Sequence, residues 1–340
     1  MSGAKRIAWA DSLKGILIVL VVLGHAIQAV MKKQRADFTE DYLWNLIYSF
    51  HMPAFMAVSG FVAYRKVMAG ANLWLPTIGR RFRQLMIPFL IWSVALLFVN
   101  HNVEHYYEYL LYPQKSLWFL WALFFIVVIF TGVETIARKI ELRHEVAMIL
   151  CWMAQIGVMF VMPNAKLLGV EYVAYYFIYY AVGYYLHKYD EILMIKNNGV
   201  LVVLGVLWFA LGSIYSTQGL PEPLKIIPVI PHSLLYMVYR LFTALVAIWF
   251  LFGACEKIFN VDKGLTLWAI QLGKVLLGIY AVHMVVRFRL VDGLVFVFPQ
   301  MSYWPLMLLT FTILLPVSYL FVWLFSKNRW TAEILLGKLQ

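Results

Sequence analysis

Long apolar runs separated by short polar segments recur along all 340 residues of the chain. Each run is about 16 to 24 residues long, close to the ~20 residues with which an α-helix crosses ~30 Å of hydrocarbon. The pattern predicts an all-α fold, a polytopic membrane helix bundle of about ten transmembrane helices in a single integral-membrane domain over residues 1–340. The predicted spans are 13–31, 43–64, 85–100, 117–133, 146–162, 171–187, 199–216, 234–254, 268–286 and 302–326.

Composition and charge agree with this interpretation. Hydrophobic residues make up 63% of the chain and charged residues 13%, which no soluble fold could bury. An even number of spans puts both ends on one side, where 17 of the 28 Lys and Arg residues lie outside the spans, against 8 on the other side. Because cytoplasmic loops are enriched in Lys and Arg, both termini are predicted to be cytoplasmic. The net charge of +11 is dispersed among loops, which disfavours nucleic acid as a partner.

The first predicted span carries three ionisable residues on one helical face: Asp11, Lys14 and His25. Lys14 and His25 differ by about 20° in azimuth and about 16 Å along the axis, and Asp11 lies about 21 Å from His25. Asp11 could instead cap the helix, and Lys14 could extend to the interface. His25 could be a satisfied structural histidine. Its other interpretation is a general base, because imidazole exchanges protons near neutral pH.

The second span contains "FHMP", in which Pro53 should kink the helix and leave the carbonyl of Ser49 free as an acceptor near His51. Counted from the outer ends of their spans, four polar residues lie at similar depth, which would suit one shared cavity or four locally paired groups: His25, His51, Arg240 and His283. Tyr280 is a weaker candidate, since aromatic residues near helix ends are mostly interface anchors.

Three arginines precede the third span on the predicted inner side: Arg80, Arg81 and Arg83. The excess of basic residues in cytoplasmic loops explains some of them without any ligand. Guanidinium groups also bind phosphate oxygens through paired, charge-assisted hydrogen bonds, and CoA carries three phosphate groups. The cluster is therefore a candidate acyl-CoA site.

Together, "DSLKGILIVLVVLGHA", "SFHMPAFMAVSGF", "RRFRQLMIPFLIW", "SLWFLWALFF" and "GIYAVH" resemble the acyltransferase-3 family of bacterial membrane acyltransferases, in particular its fucose 4-O-acetylase-like branch. The resemblance extends from about residue 7 to residue 326. It implies an acetyl-CoA-dependent O-acetyltransferase of the bacterial inner membrane. The implied acceptors are hydroxyl groups of cell-envelope polysaccharides, lipid-linked sugars or exported glycans.

Matched positions carry family roles. Lys14 and His25 occupy a motif in which a basic residue stands eleven positions before the catalytic histidine, and His51 matches the branch's "FHMP". The arginine cluster matches the motif for acyl-CoA binding. The chain departs from the family in having Lys14 where many members have arginine, which loses the paired hydrogen-bond geometry. No SGNH-type domain follows the membrane part, so the bundle is expected to complete the transfer alone.

The predicted mechanism has acyl-CoA bound by the arginine cluster and Lys14, with His25 as the general base that takes the proton of the acceptor hydroxyl. Asp11 is a second catalytic candidate, although it lies too far along a straight helix to orient His25 directly. The predicted substrate-binding residues are His51, Arg240, Tyr280 and His283. The expected partners are acyl-CoA, the sugar acceptor and membrane lipids, with no metal and no tightly bound cofactor. The alternative is a proton-coupled secondary transporter or lipid-linked glycan flippase with a histidine relay; a non-catalytic scaffold comes third. Binding of labelled acetyl-CoA distinguishes the first two.

Overall fold

The computed structural model describes residues 7–64, 74–100, 103–162, 164–225, 231–259 and 264–338, and no β-strand occurs in these ranges. The predicted all-α fold is confirmed. Its helices are α1 Ala8–Lys33, α2 Tyr42–Tyr48, α3 His51–Ala63, α4 Trp74–Arg81, α5 Ile87–Val99, α6 Tyr106–Leu111, α7 Trp118–Lys139, α8 His144–Val161, α9 Val170–Lys188, α10 Asp190–Leu193, α11 Asn198–Ser213, α12 His232–Ile258, α13 Gly264–Lys274, α14 Leu276–Val297, α15 Tyr303–Ser326 and α16 Arg329–Leu336.

Seven helical segments of the described residues are long and apolar enough to cross a membrane: α1, α2 with α3, α4 with α5, α7, α8, α12 and α15. The bent pair of α13 and α14 makes an eighth if it is one span. The architecture is that of a polytopic membrane helix bundle. The predicted count of ten is not confirmed, because α9 falls outside this set and α11, although apolar, has only 16 residues. The cytoplasmic placement of both termini stays a prediction. Five of the basic residues behind it lie outside the described ranges: Lys5, Arg6, Arg65, Lys66 and Lys263.

The chain forms two compact units. The first comprises Met1–Val58 and Tyr189–Tyr319, and the second Ser59–Lys188 and Leu320–Gln340. In the first unit, α1 is the central element and packs against α2, α12, α13 and α14, while α11 packs against α12. In the second unit, α7 packs against α8 and α9, and α16 packs against α5.

Two glycines allow α1 and α13 to touch through their backbones. A β-carbon on Gly15 would lie 1.9 Å from the carbonyl oxygen of Ala269, and one on Gly273 would lie 2.0 Å from that of Asp11. Any side chain at either position would therefore separate the helices. α13 ends at Lys274, one residue after Gly273, and α14 begins at Leu276. The two helices are bent by 71° relative to each other. The bend lies within the predicted span 268–286.

Helix boundaries near the polar residues differ from those expected. α2 ends at Tyr48 and α3 begins at His51, so the interruption precedes Pro53, which occupies the first turn of α3, where a missing N–H leaves no helical bond unmade. The predicted span ending at 286 is too short, because α14 continues to Val297. Arg287, which the topology prediction places in an outer loop, lies inside this helix with 9% of its surface exposed.

Candidate active site

Three imidazoles of the first unit lie together. His25 comes from the middle of α1, His51 begins α3, and His283 lies in α14. The ring centroids of His25 and His283 are 5.1 Å apart, and His25 also interacts electrostatically with His51. His51 and His283 are buried, whereas His25 keeps a partly exposed side chain. The structure thus gathers three of the four polar residues that depth along the spans had grouped.

Backbone carbonyls fix the ring orientation of two of these histidines. Nδ1 of His51 is 2.7 Å from the carbonyl oxygen of Ile47, and Nδ1 of His283 is 2.8 Å from that of Ile279. Because a carbonyl oxygen can only accept, each neutral ring carries its proton on Nδ1 and a lone pair on Nε2. Nε2 of His283 is buried and has no hydrogen-bond partner among the described residues. It therefore offers an acceptor to a ligand.

His25 has a different environment, built from one amide and one guanidinium. Its Nδ1 lies 3.1 Å from Oε1 of Gln28, one turn further along α1. Nη1 of Arg287, from α14, hydrogen-bonds to the same Nδ1 and donates to Oε1 of Gln28 at 2.9 Å. Nδ1 of His25 either accepts from Arg287 or, when protonated, donates to Gln28, while Oε1 of Gln28 can accept from Arg287 in both states. The three side chains form one compact polar cluster.

Aromatic and apolar side chains surround this cluster. The ring of Tyr48 lies 4.5 Å from that of His51 and stacks on Trp44 at 3.8 Å, and the ring of Tyr280 lies 5.8 Å from that of His283. The charge of Arg287 acts on the hydroxyl groups of Tyr48 and Tyr280. A buried apolar cluster packs beside it and limits access of water: Ile27, Ala29, Val30, Trp44, Val291, Leu306 and Met307.

Three predicted site residues of the first unit have other neighbours. Asp11 and Lys14 form an ion pair of 3.2 Å between Oδ1 and Nζ, about three turns of α1 away from His25. At this distance Asp11 does not contact His25. Nε of Arg240 donates to the hydroxyl of Tyr215 at 3.1 Å, and its guanidinium lies 5.3 Å from the ring centroid of Tyr236. Local pairing, the alternative left open from the sequence, describes these contacts.

The arginine cluster belongs to the second unit. Arg80 and Arg81 end α4, and Arg83 lies in a π-helical turn, Phe82–Met86, that leads into α5. Arg80 and Arg83 are exposed, whereas Arg81 is half-buried and donates from Nη1 to Oε1 of Gln84 at 3.2 Å. π-Helical turns are rare and occur frequently at functional sites.

Sequence reasoning missed Gln28 and Arg287. Gln28 follows His25 by three positions and Arg287 follows His283 by four, spacings that place each pair on one helical face. These spacings were the available signal. Gln28 carries no charge, and Arg287 lies one residue past the predicted end of its span. Neither is therefore among the candidates predicted from the sequence.

Three clustered histidines raise the possibility of a metal site. Among the described residues, however, no group of three His, Cys, Asp or Glu side chains is placed to hold a metal ion. A cavity of about 320 Å³ exists elsewhere in the first unit, between α13 and α15, and it is lined by Trp268, Gln271, Leu272, Leu315, Pro316 and Tyr319. It contains none of the clustered polar residues.

Comparison with known proteins gives a family and two relatives. The acyltransferase-3 family model, described as an acyltransferase domain, matches residues 7–326. A nodulation protein NolL of Sinorhizobium fredii is 41% identical over 86 residues, 25% of this chain and 23% of that protein. NolL of Mesorhizobium japonicum is 29% identical over 143 residues, 38% of this chain and 36% of that protein. The matches thus span about a quarter to a third of these relatives. No solved structure matches the chain.

Proposed function

The chain belongs to the acyltransferase-3 family, and from this premise we propose that it is a membrane O-acyltransferase of the bacterial inner membrane. It transfers an acetyl or similar short acyl group from acyl-CoA to a hydroxyl group of a sugar in a cell-envelope or exported glycan. The motif "FHMP", which contains His51, supports placing it in the fucose 4-O-acetylase-like branch.

The cluster of His25, His51 and His283 beside Arg287 carries this proposal. Acyl transfer to an alcohol needs a group that removes the hydroxyl proton and a group that stabilises negative charge on the thioester oxygen. Imidazoles supply the first and a buried guanidinium can supply the second. We propose that the substrate reaches His25 at its partly exposed side, whereas carbonyl oxygens hold the other two rings in fixed orientations.

The steps follow from these positions. His25 takes the proton of the acceptor hydroxyl on Nε2, the acceptor oxygen attacks the thioester carbon, and the resulting tetrahedral oxyanion collapses as the C–S bond breaks. The thiolate leaves as CoA thiol after receiving the proton from His25. His51 and His283 accept hydrogen bonds from other hydroxyl groups of the sugar on Nε2, and Tyr280 lies beside His283 as a further contact.

Acyl-CoA is bound through its phosphates by the arginine cluster of the second unit. Arg80 and Arg83 are exposed and can form paired hydrogen bonds with phosphate oxygens, which a lysine cannot do. Lys14 lies in the first unit, where it pairs with Asp11, and its role as a cation for a phosphate group stays a separate prediction. We assign Asp11 the role of holding Lys14 rather than a proton-transfer step.

A second candidate, a proton-coupled carrier, is favoured by one observation. The 71° bend between α13 and α14 interrupts an apolar segment, and discontinuous helices form the substrate sites of many transporters. A carrier does not cleave the thioester. The release of free CoA thiol from acetyl-CoA therefore separates the two candidates.

The test uses the full-length protein purified in lipid nanodiscs with acetyl-CoA labelled in the acetyl group. Glycans from a strain deleted for the gene serve as acceptors, since they lack the modification. Transfer of label into an alkali-labile ester, with stoichiometric release of CoA thiol, supports the proposal. Binding or transport of glycan without thiol release favours the carrier. If the glycans of the deletion strain carry the same acetyl groups as wild type, the proposed acceptor class is wrong.

A further inference from the structure

Arg287 is a buried cation without an acidic partner. Only 9% of its surface is exposed, and no Asp or Glu of the described residues lies within ion-pair distance of its guanidinium. Asp292, the acidic residue of the same helix, pairs with Lys33 at 2.6 Å. The hydrogen-bond partners of Arg287 are neutral, and its Nε is buried without one.

This arrangement is unfavourable in the substrate-free protein. An ionised side chain inside a membrane-spanning helix is costly, and arginine cannot discard its proton to reduce that cost. A second cation increases it, because Lys32 of α1 interacts electrostatically with Arg287. A group kept in this state is a candidate for function, and negative charge at this place would relieve the imbalance.

We propose that Arg287 is a catalytic residue that stabilises the oxyanion formed on the thioester carbonyl oxygen. This inference rests on the proposed acyl transfer. Arg287 contacts the imidazole of His25 directly, so the charge that develops during attack appears next to it. The carbonyl oxygen carries no full negative charge before the attack or after the intermediate collapses. Arg287 therefore stabilises only the transition state and the tetrahedral intermediate.

Gln28 is the positioning residue of this pair. Nδ1 of His25 stands between Arg287, which can only donate, and Oε1 of Gln28, which can only accept. When Arg287 donates to Nδ1, the neutral ring holds its proton on Nε2 and cannot act as a base there. When the guanidinium turns to the thioester oxygen, Nδ1 takes a proton from water and Nε2–H releases one to water. Nδ1–H then donates to Gln28, and the lone pair of Nε2 faces the acceptor hydroxyl. The same movement serves the oxyanion and the base.

The experiment compares three substitutions in the full-length protein with acetyl-CoA and acceptor glycan. Arg287→Met removes the charge and is expected to lower kcat by ~10²–10³-fold, the usual effect of losing an oxyanion donor, with the KM of the acceptor near wild type. Arg287→Lys keeps the positive charge but loses the planar guanidinium, so its kcat should lie between those of Arg287→Met and the wild type. Gln28→Glu keeps an acceptor for Nδ1–H but neutralises Arg287, so kcat should fall while the melting temperature holds or rises.

Arg289→Met is the matched control, since it removes an exposed arginine two residues further along α14. It should leave kcat unchanged. A purely structural role for Arg287 predicts an unchanged or higher kcat in Gln28→Glu, and this result overturns the proposal. A rise in acceptor KM at constant kcat also overturns it, because Arg287 would then bind an anionic group of the acceptor.

The outcomes separate this inference from the function on which it rests. If the wild-type protein transfers no acyl group, the proposed function fails first. If wild-type activity is present and Arg287→Met retains it, only the role of Arg287 fails. Should Arg287→Met not fold, Gln28→Glu decides, because that variant keeps the arginine and changes only its charge balance.

Discussion

The imidazoles of His25 and His283 lie with their centroids 5.1 Å apart and their planes tilted by 44°. The first ring belongs to α1 and the second to α14, which are separated by more than two hundred residues in the chain. The pair thus exists only because α1 packs against α14. It joins the partly exposed ring of His25 to a fixed, buried acceptor on His283, and each can be tested separately.

Replacing His25 with alanine is expected to lower kcat by ~10²–10⁴-fold, the range usual for loss of a general base. Binding of acyl-CoA should stay near wild type, because the phosphate-binding residues are untouched. Single-turnover transfer and equilibrium binding of labelled acetyl-CoA measure the two effects. His232→Ala is the control, since His232 is exposed at the start of α12. Wild-type turnover in the His25 variant would remove His25 from the mechanism.

The role of His283 can be tested with two amide substitutions. Its Nδ1–H donates to the carbonyl of Ile279 and its Nε2 has no partner in the described structure. Asparagine can replace the Nδ1 donor and loses the Nε2 acceptor, whereas glutamine can reach the Nε2 position. We expect His283→Asn to raise the acceptor KM by ~3–10-fold, one neutral hydrogen bond, and His283→Gln to raise it less. A larger rise in the acceptor KM for His283→Gln than for His283→Asn would show that the substrate does not bind to Nε2 of His283.

Apolar periodicity predicted most of the fold because the membrane requires it. Every backbone polar group must be satisfied inside a span, so long apolar runs form helices with few alternatives. The bend between α13 and α14 was not predictable in the same way. It lies within one predicted span, beside Lys274, and the close packing of Gly273 against α1 depends on the position of a helix that is distant in sequence.

The candidate site was predicted in part for a similar reason. Depth along a span follows from residue counting, and it correctly grouped His25, His51 and His283. Depth gives no azimuth, and Arg240 at a similar depth lies against Tyr215 and Tyr236. Arg287 was placed in a loop because charge usually ends a span. Its contacts with His25 and Gln28 keep it inside the helix, and no local pattern reveals them.

The arginine cluster gives a prediction for the donor. Arg80→Glu with Arg83→Glu is expected to raise the KM for acyl-CoA by more than ~10-fold, since the loss of even one charge-assisted hydrogen bond of ~1.5–3 kcal/mol corresponds to ~10–150-fold. The KM for the acceptor should change little. Initial rates with varied acetyl-CoA and then varied acceptor measure both constants.

A matched variant controls for the loss of positive charge. Arg143 lies in the second unit with 81% of its side chain exposed, and Arg143→Glu makes the same change outside the cluster. It should leave both KM values near wild type. An equal rise in the acyl-CoA KM for Arg143→Glu would show that general attraction, rather than the cluster, binds CoA. A rise in the acceptor KM alone would contradict the donor assignment.

The contact between α1 and α13 predicts the behaviour of Gly273. A β-carbon there would lie 2.0 Å from the backbone carbonyl oxygen of Asp11, which cannot rotate away as a side chain could. Gly273→Ala should therefore separate the helices and destabilise the protein by ~1–3 kcal/mol or more, the usual cost of overpacking. Because α14 follows directly, the rings of His25 and His283 should also move apart, and kcat should fall. Thermal unfolding in detergent, followed by tryptophan fluorescence, measures the first effect.

Gly293→Ala in α14 is the control, since nothing lies within 4 Å of its added carbon and alanine is the better helix former. Equal melting temperatures for the two variants would mean that α1 and α13 do not touch at Gly273.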